Sequence, residues 1–222
     1  MANASFTRDE VILALDVLYR SGGVRLQPNS PEIQELSRQL NLLPIHAKDK
    51  RPPNFRNCVG VSHQLDRFLR GYSDGRTSWN VGELFFRVDQ EYRNNHNELF
   101  AVADAIRKNA LFFSDYMFGD VMEDDGFPEG IILGHLHRVV EKRDSKKLAF
   151  SSRCDICQLE PEALYSGCGT ILEHHLVVRP EKINWNKTYK SSDFITVCPN
   201  CHTALHRRRP WVEKGNYDII FR

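Results

Sequence analysis

The chain has 222 residues, 41% hydrophobic and 27% charged, enough to bury the core of one large domain or two small ones. A formal net charge of +1 excludes the wholesale basicity of a protein that coats nucleic acid. No stretch approaches the roughly 18 apolar residues of a membrane span, and the first ten residues lack the basic start and apolar run of a secretory signal, so a cytoplasmic protein is expected.

In chain order, Thr7-Arg8-Asp9-Glu10 has the form of a capping box, with Thr7 as N-cap and Glu10 reaching back. Val11, Ile12, Leu15, Leu18 and Tyr19 follow at helical spacing, and Gly22-Gly23 ends the helix. A second helix opens at Ser30-Pro31 and turns Ile33, Leu36 and Leu40 inward. After a polar stretch from Pro44 to Pro53, a third helix is predicted over Val59–Arg70, with Val61, Leu65 and Leu69 as its apolar stripe. Three such helices suit a helix-turn-helix-like bundle, in which Ser62, His63, Gln64, Arg67 and Arg70 would face outward toward bases or phosphates. The same periodicity also fits any small helical bundle. Two more helices are predicted over Val81–Tyr92 and Asn97–Lys108.

The segment from Leu111 to Gly130 holds Asp115, Asp120, Glu123, Asp124, Asp125 and Glu129 and no Lys or Arg, and reads as a connector. From Glu129 to Lys147 the pattern Ile131, Ile132, Leu133, Leu136, Val139, Val140 predicts a helix with a basic outer side. The expected division is a helical region over 1–112, an acidic connector and basic linker helix over 113–150, and a cysteine-rich module over 151–222.

Four of the six cysteines form two hooks, Cys154-Asp155-Ile156-Cys157 and Cys198-Pro199-Asn200-Cys201. Thiolates at this spacing close a tetrahedral structural zinc site. Cys58 and Cys168 stand apart and read as bystanders. Between the hooks, Thr170–Glu173 and Leu176–Val178 flank His174-His175 and read as strand, and Phe194–Val197 reads as a second. A helix over Thr203–Arg208 would place His202 and His206, four apart, on one face as a metal chelate. A third ligand from the facing hairpin would leave positions for water and a phosphate oxygen. A plain strand sends His174 and His175 to opposite faces, so both serve one site only if the strand ends or kinks there.

Leu172-Glu173-His174-His175-Leu176, Asp193-Phe194-Ile195-Thr196-Val197-Cys198-Pro199-Asn200-Cys201-His202 and His206 together resemble the HNH, or ββα-metal, endonuclease family, in particular its cysteine-bearing branch of McrA-like restriction enzymes. The diagnostic motif covers Cys154–His206. Phe55–Val61 and Glu129–Asp144 also look like segments that precede the nuclease module in bacterial members. The fold implied is α+β, a mostly helical N-terminal region followed by a ββα-metal module with a four-cysteine structural zinc.

The resemblance implies roles residue by residue. His175 is the general base; His174, His202 and His206 hold a divalent metal, Mg or Mn, with Ni or Zn also admitted by imidazole ligands. The motif's middle position falls on Asp193, where many members have Asn. That residue braces the loop carrying the base, and an ionised Asp can accept but not donate the bracing hydrogen bonds. Arg207, Arg208 and Arg209 could hold flanking phosphates, with Arg179 and Lys182 as weaker candidates.

The function implied is hydrolysis of phosphodiester bonds in double-stranded DNA, leaving 5′-phosphate and 3′-hydroxyl ends, in restriction or defence and of bacterial or phage origin. The N-terminal region would choose the target by sequence or base modification. The alternatives are a zinc-stabilised DNA-binding module without activity, or a homing, repair or RNA-directed HNH nuclease. Cutting both strands with one site per chain favours a homodimer, standing or formed on DNA.

Overall fold

The structure, a computed structural model, describes residues 4–73, 82–112, 130–148, 151–167, 171–208 and 211–221. It is α+β and mostly helical, with a two-stranded antiparallel sheet. The chain divides into two compact units, Met1–Asp125 with Gly130–Ile132, and Gly126–Glu129 with Leu133–Arg222. The expected acidic connector, Val81, Cys168 and Arg209 lie outside the described residues.

In the first unit, helix α1 (Arg8–Arg20) is the hub. Helices α2 (Pro31–Leu42), α3 (Cys58–Ser73), α4 (Glu83–Tyr92) and α5 (His96–Phe112) all pack against it. Ile12, Leu13, Leu15, Ile33, Leu36, Leu40, Phe68, Phe85, Leu99 and Ile106 are sealed from solvent, each contributing about 1.5–3 kcal/mol by burial. A helix surrounded on all sides buries its charged positions too, and each here has a partner. Arg8 pairs with Glu91 at 2.5 Å, Asp16 with Arg107, and Glu10 with Arg56 at 2.6 Å. Glu10 also accepts the Thr7 backbone N–H at 2.8 Å, the reach-back the capping pattern predicted.

Helix α3 exposes His63, Arg67 and Arg70. Ser62, expected on that outer face, is buried instead and donates its hydroxyl to the Leu26 carbonyl at 2.8 Å. A small side chain in the helix–loop contact wins there over an outward polar one.

In the second unit, helix α6 (Gly130–Asp144, of which Leu133 onward belongs here) ends in a clamp. Arg143 donates to the Trp185 carbonyl at 2.7 Å and the Lys187 carbonyl at 2.8 Å, while Asp144 accepts the Tyr189 N–H at 2.9 Å. Arg143, a basic residue at the end of this helix, is thus engaged in holding a loop. Short α7 (Pro161–Leu164) precedes strands β1 (Glu173–Leu176) and β2 (Phe194–Val197), which pair antiparallel with His175 opposite Ile195 and His174 opposite Thr196.

Helix α8 (Pro199–Arg207) follows β2 directly. It begins four residues earlier than the sequence pattern suggested, because Pro199 is preset for the first helical position and Cys198 takes the N-cap. Leu172, Ile195, Val197, Leu205 and Val212 form a small core around the buried cysteines. Among the described residues, no helix is long and apolar enough to cross a membrane.

Candidate metal centres

The four hook cysteines come together. The sulfur atoms of Cys154, Cys157, Cys198 and Cys201 all lie within 4.8 Å of one another, three buried and Cys157 exposed. Local structure explains how hooks so far apart in sequence meet. Asp155, inside the first hook, is stitched to β2: its N–H donates to the Thr196 carbonyl at 2.8 Å and its carboxylate accepts the Thr196 N–H at 2.7 Å. Strand β2 then runs straight into the second hook, whose cysteines occupy the N-cap and first turn of α8.

Gln158 closes the first hook in the left-handed region, at φ 62°, its N–H bonded to the Cys154 carbonyl. Burial pushes the Cys201 thiol far up, whereas at Cys154 burial is outweighed by backbone N–H donors that favour the thiolate. Four convergent sulfurs from two hooks form a site compatible with structural zinc.

The second group lies across α6, β1 and α8. Ligand atoms of His137, Glu141, His175 and His206, all buried, lie within 4.8 Å of one another. Glu141 is the centre. Its Oε1 stands 3.1 Å from His137 Nδ1, 3.1 Å from His175 Nδ1, 3.5 Å from His202 Nε2 and 3.9 Å from His206 Nε2. It also accepts the Leu176 N–H at 3.0 Å. His202 and His206 present their Nε2 atoms to each other at 3.1 Å, and His202 Nδ1 meets Glu173 Oε2 at 2.5 Å. The Trp211 ring packs beside His137, His175 and His206, with centroids 5.4–6.1 Å away.

Electrostatics follow from this crowding. Burial by itself would raise the Glu141 carboxyl, but the imidazoles of His137, His175 and His202 hold it well below the usual range. Burial pushes His175 down to about 3, with His137 and His206 adding to the effect and Glu141 opposing it. At His202 burial is overcome by Glu141 and Glu173, which raise it. An ionised carboxylate and imidazole nitrogens gathered within 4.8 Å could hold a divalent metal, which would displace any proton on His202 as it bound.

The sequence-predicted residues divide as the strand register dictates. His175, His202 and His206 come together. His174 falls on the other face of β1, its ring 6.5 Å from that of Phe194, because β1 runs as a regular strand through the pair without the kink a shared site would need. Asp193 sits in the turn before β2. Its carboxylate accepts the Lys190 N–H at 2.9 Å and its carbonyl accepts the Val177 N–H at 2.9 Å, bracing the chain just past the histidine pair.

Arg207 and Arg208 are exposed at the end of α8. Arg179 pairs with Glu181 at 2.5 Å. His137, Glu141, Glu173 and Trp211 were not singled out from sequence. The available signal was the i, i+4 spacing of His137 and Glu141 within the apolar stripe of α6.

Comparisons with protein-family models, with curated proteins and with solved structures find no match for this chain.

Proposed function

We propose that the chain is a metal-dependent endonuclease that hydrolyses phosphodiester bonds in double-stranded DNA, with the reaction in the second unit. The observation that carries this reading is the convergence of His175, His202 and His206 on one buried carboxylate, over two antiparallel strands and a helix anchored by four cysteines. Read this way, β1, β2 and α8 are a ββα-metal module, and zinc in the four-cysteine site fixes the start of α8.

A divalent ion on the α8 imidazoles would neutralise charge building on the scissile phosphate and on the leaving 3′-oxygen. His175 takes a proton from the attacking water. Its Nδ1 faces Glu141 at 3.1 Å, which leaves Nε2 as the nitrogen for that proton. Asp193 supports the base through the backbone, a task for which an acceptor suffices. Arg207 and Arg208 supply positive charge for flanking phosphates. The first unit, with Arg67 and Arg70 exposed on α3, would select the target, and the setting we infer is restriction of foreign DNA.

The test is cleavage of methylated and unmethylated plasmid with Mg or Mn by the protein and by His175→Ala. The substitution is expected to lower the rate at least about a hundredfold. Undiminished cutting by the variant removes His175 as base, and no cutting of any DNA by the unaltered protein removes the nuclease reading. Cutting of one plasmid only identifies the modification state that is read.

A further inference from the structure

We infer that the divalent ion is held by a carboxylate from outside the histidine motif: Glu141 of α6, together with His202 and His206, is its ligand set, and His174 is not part of it. The inference rests on the metal-dependent reading above for the location of the site and departs from it in the ligands.

Three observations carry it. First, Glu141 Oε1, His202 Nε2 and His206 Nε2 form a triangle with edges of 3.1, 3.5 and 3.9 Å. Nitrogen and oxygen ligands about 2.1 Å from an ion, at angles near 90–110°, stand roughly 3.0–3.4 Å apart, so little movement closes the triangle around an ion. Second, the carboxylate is buried, with 5% of Glu141 exposed, among nitrogen atoms. A buried charge of this kind is stable only when paired with positive charge and hydrogen-bonded.

Third, His202 Nδ1 meets Glu173 Oε2 at 2.5 Å, the kind of carboxylate contact that orients a metal-bound imidazole, and this leaves Nε2 for the ion. His174 offers no such geometry, being on the opposite face of β1.

A mixed carboxylate–imidazole set differs from an all-histidine one in carrying a formal negative charge, which favours harder ions such as Mn over softer ones. The probe is Co2+ alone, titrated into full-length protein whose cysteine site is already zinc-loaded, followed by calorimetry and by visible absorption of bound cobalt. The unaltered protein is expected to take up one equivalent beyond zinc. Glu141→Gln keeps an acceptor for the Leu176 N–H but drops the charge, and should bind cobalt at least about tenfold more weakly. His174→Ala should bind it as the unaltered protein does.

Zinc content and circular dichroism check that each variant is folded, and Glu141→Asp, which keeps the charge but draws the carboxylate back by one methylene, takes the place of Glu141→Gln with the same expected loss if that variant does not fold. Wild-type cobalt affinity in Glu141→Gln, or loss of cobalt binding in His174→Ala, overturns the assignment. Glu141-dependent cobalt binding without cleavage of any DNA leaves the ligand set standing and removes the nuclease reading.

Discussion

Glu10 concentrates in one carboxylate the electrostatics of the first unit. It is fully buried, receives two bonds from Arg56 at 2.6 and 3.0 Å and lies 3.2 Å from His46. Burial pulls its pKa up, but the bonds from His46 and Arg56 prevail and hold it below the usual carboxylate range. A depressed carboxylate contributes stability that is fully present above its unfolded value and is lost as pH falls through the folded one. Melting temperature is therefore expected to drop on acidification below about pH 4.5. Glu10→Gln should flatten that acid limb while lowering stability at neutral pH by roughly 3–5 kcal/mol, because Arg56 is left buried without its counter-charge. Thermal melts of both proteins across pH 3–7 (about the carboxylate range) check this; an unchanged acid limb in the variant would remove Glu10 as its source.

At the scale of the element, α6 depends on its first residue. Gly130 has φ +80°, and a Cβ there would lie 1.9 Å from Asp9 Oδ1, while the other Asp9 oxygen accepts the Ile132 N–H at 2.9 Å. Gly130→Ala therefore meets both backbone strain and a collision, and is expected to destabilise by about 1–3 kcal/mol, read as a lower denaturant midpoint with unchanged slope. The same helix shows what could and could not be read beforehand. Its apolar residues Leu133, Leu136 and Val140 identify an inward stripe without any structure. His137 and Glu141 lie on that stripe too, but polar residues on a helix are ordinarily solvated, and only the third dimension shows that two other elements bring imidazoles to meet them. The hooks and the α8 histidine pair were legible because their geometry is local, a few residues apart. The separation of His174 from His175 was legible as a condition, and β1 meets it by running straight through both. The partners of Asp193, the Lys190 and Val177 backbone N–H groups, were not legible, because they come from the turn and from the chain after β1.

For the whole molecule, the two units are stabilised by different means. The first buries large apolar side chains such as Ile12, Phe68 and Leu99 together with several ion pairs, without a metal site among its described residues. The second has a sheet of two four-residue strands and a small core around the cysteines. Apparent binding free energies of about 10–16 kcal/mol for structural zinc equal or exceed the ~5–15 kcal/mol that holds a typical domain together. Removing zinc with a strong chelator is accordingly expected to remove the near-ultraviolet contribution of Trp185 and Trp211 while most helical circular dichroism persists. Loss of both signals together would mean that the units do not fold independently.

Helix α8 has nine residues, with Cys198 as its cap, Cys201 and His202 in its first turns and His206 near its end. One short rod thus carries thiolates for one centre and imidazoles for the other. Each residue inserted or deleted between Cys201 and His206 would swing everything beyond it by about 100° around the axis and shift it by about 1.5 Å, turning His206 away from Glu141. Side chains at Thr203 and Ala204 can vary; the number of residues between the two centres cannot. That fixed interval, more than any single identity within it, is what a distant relative of this chain would have to share.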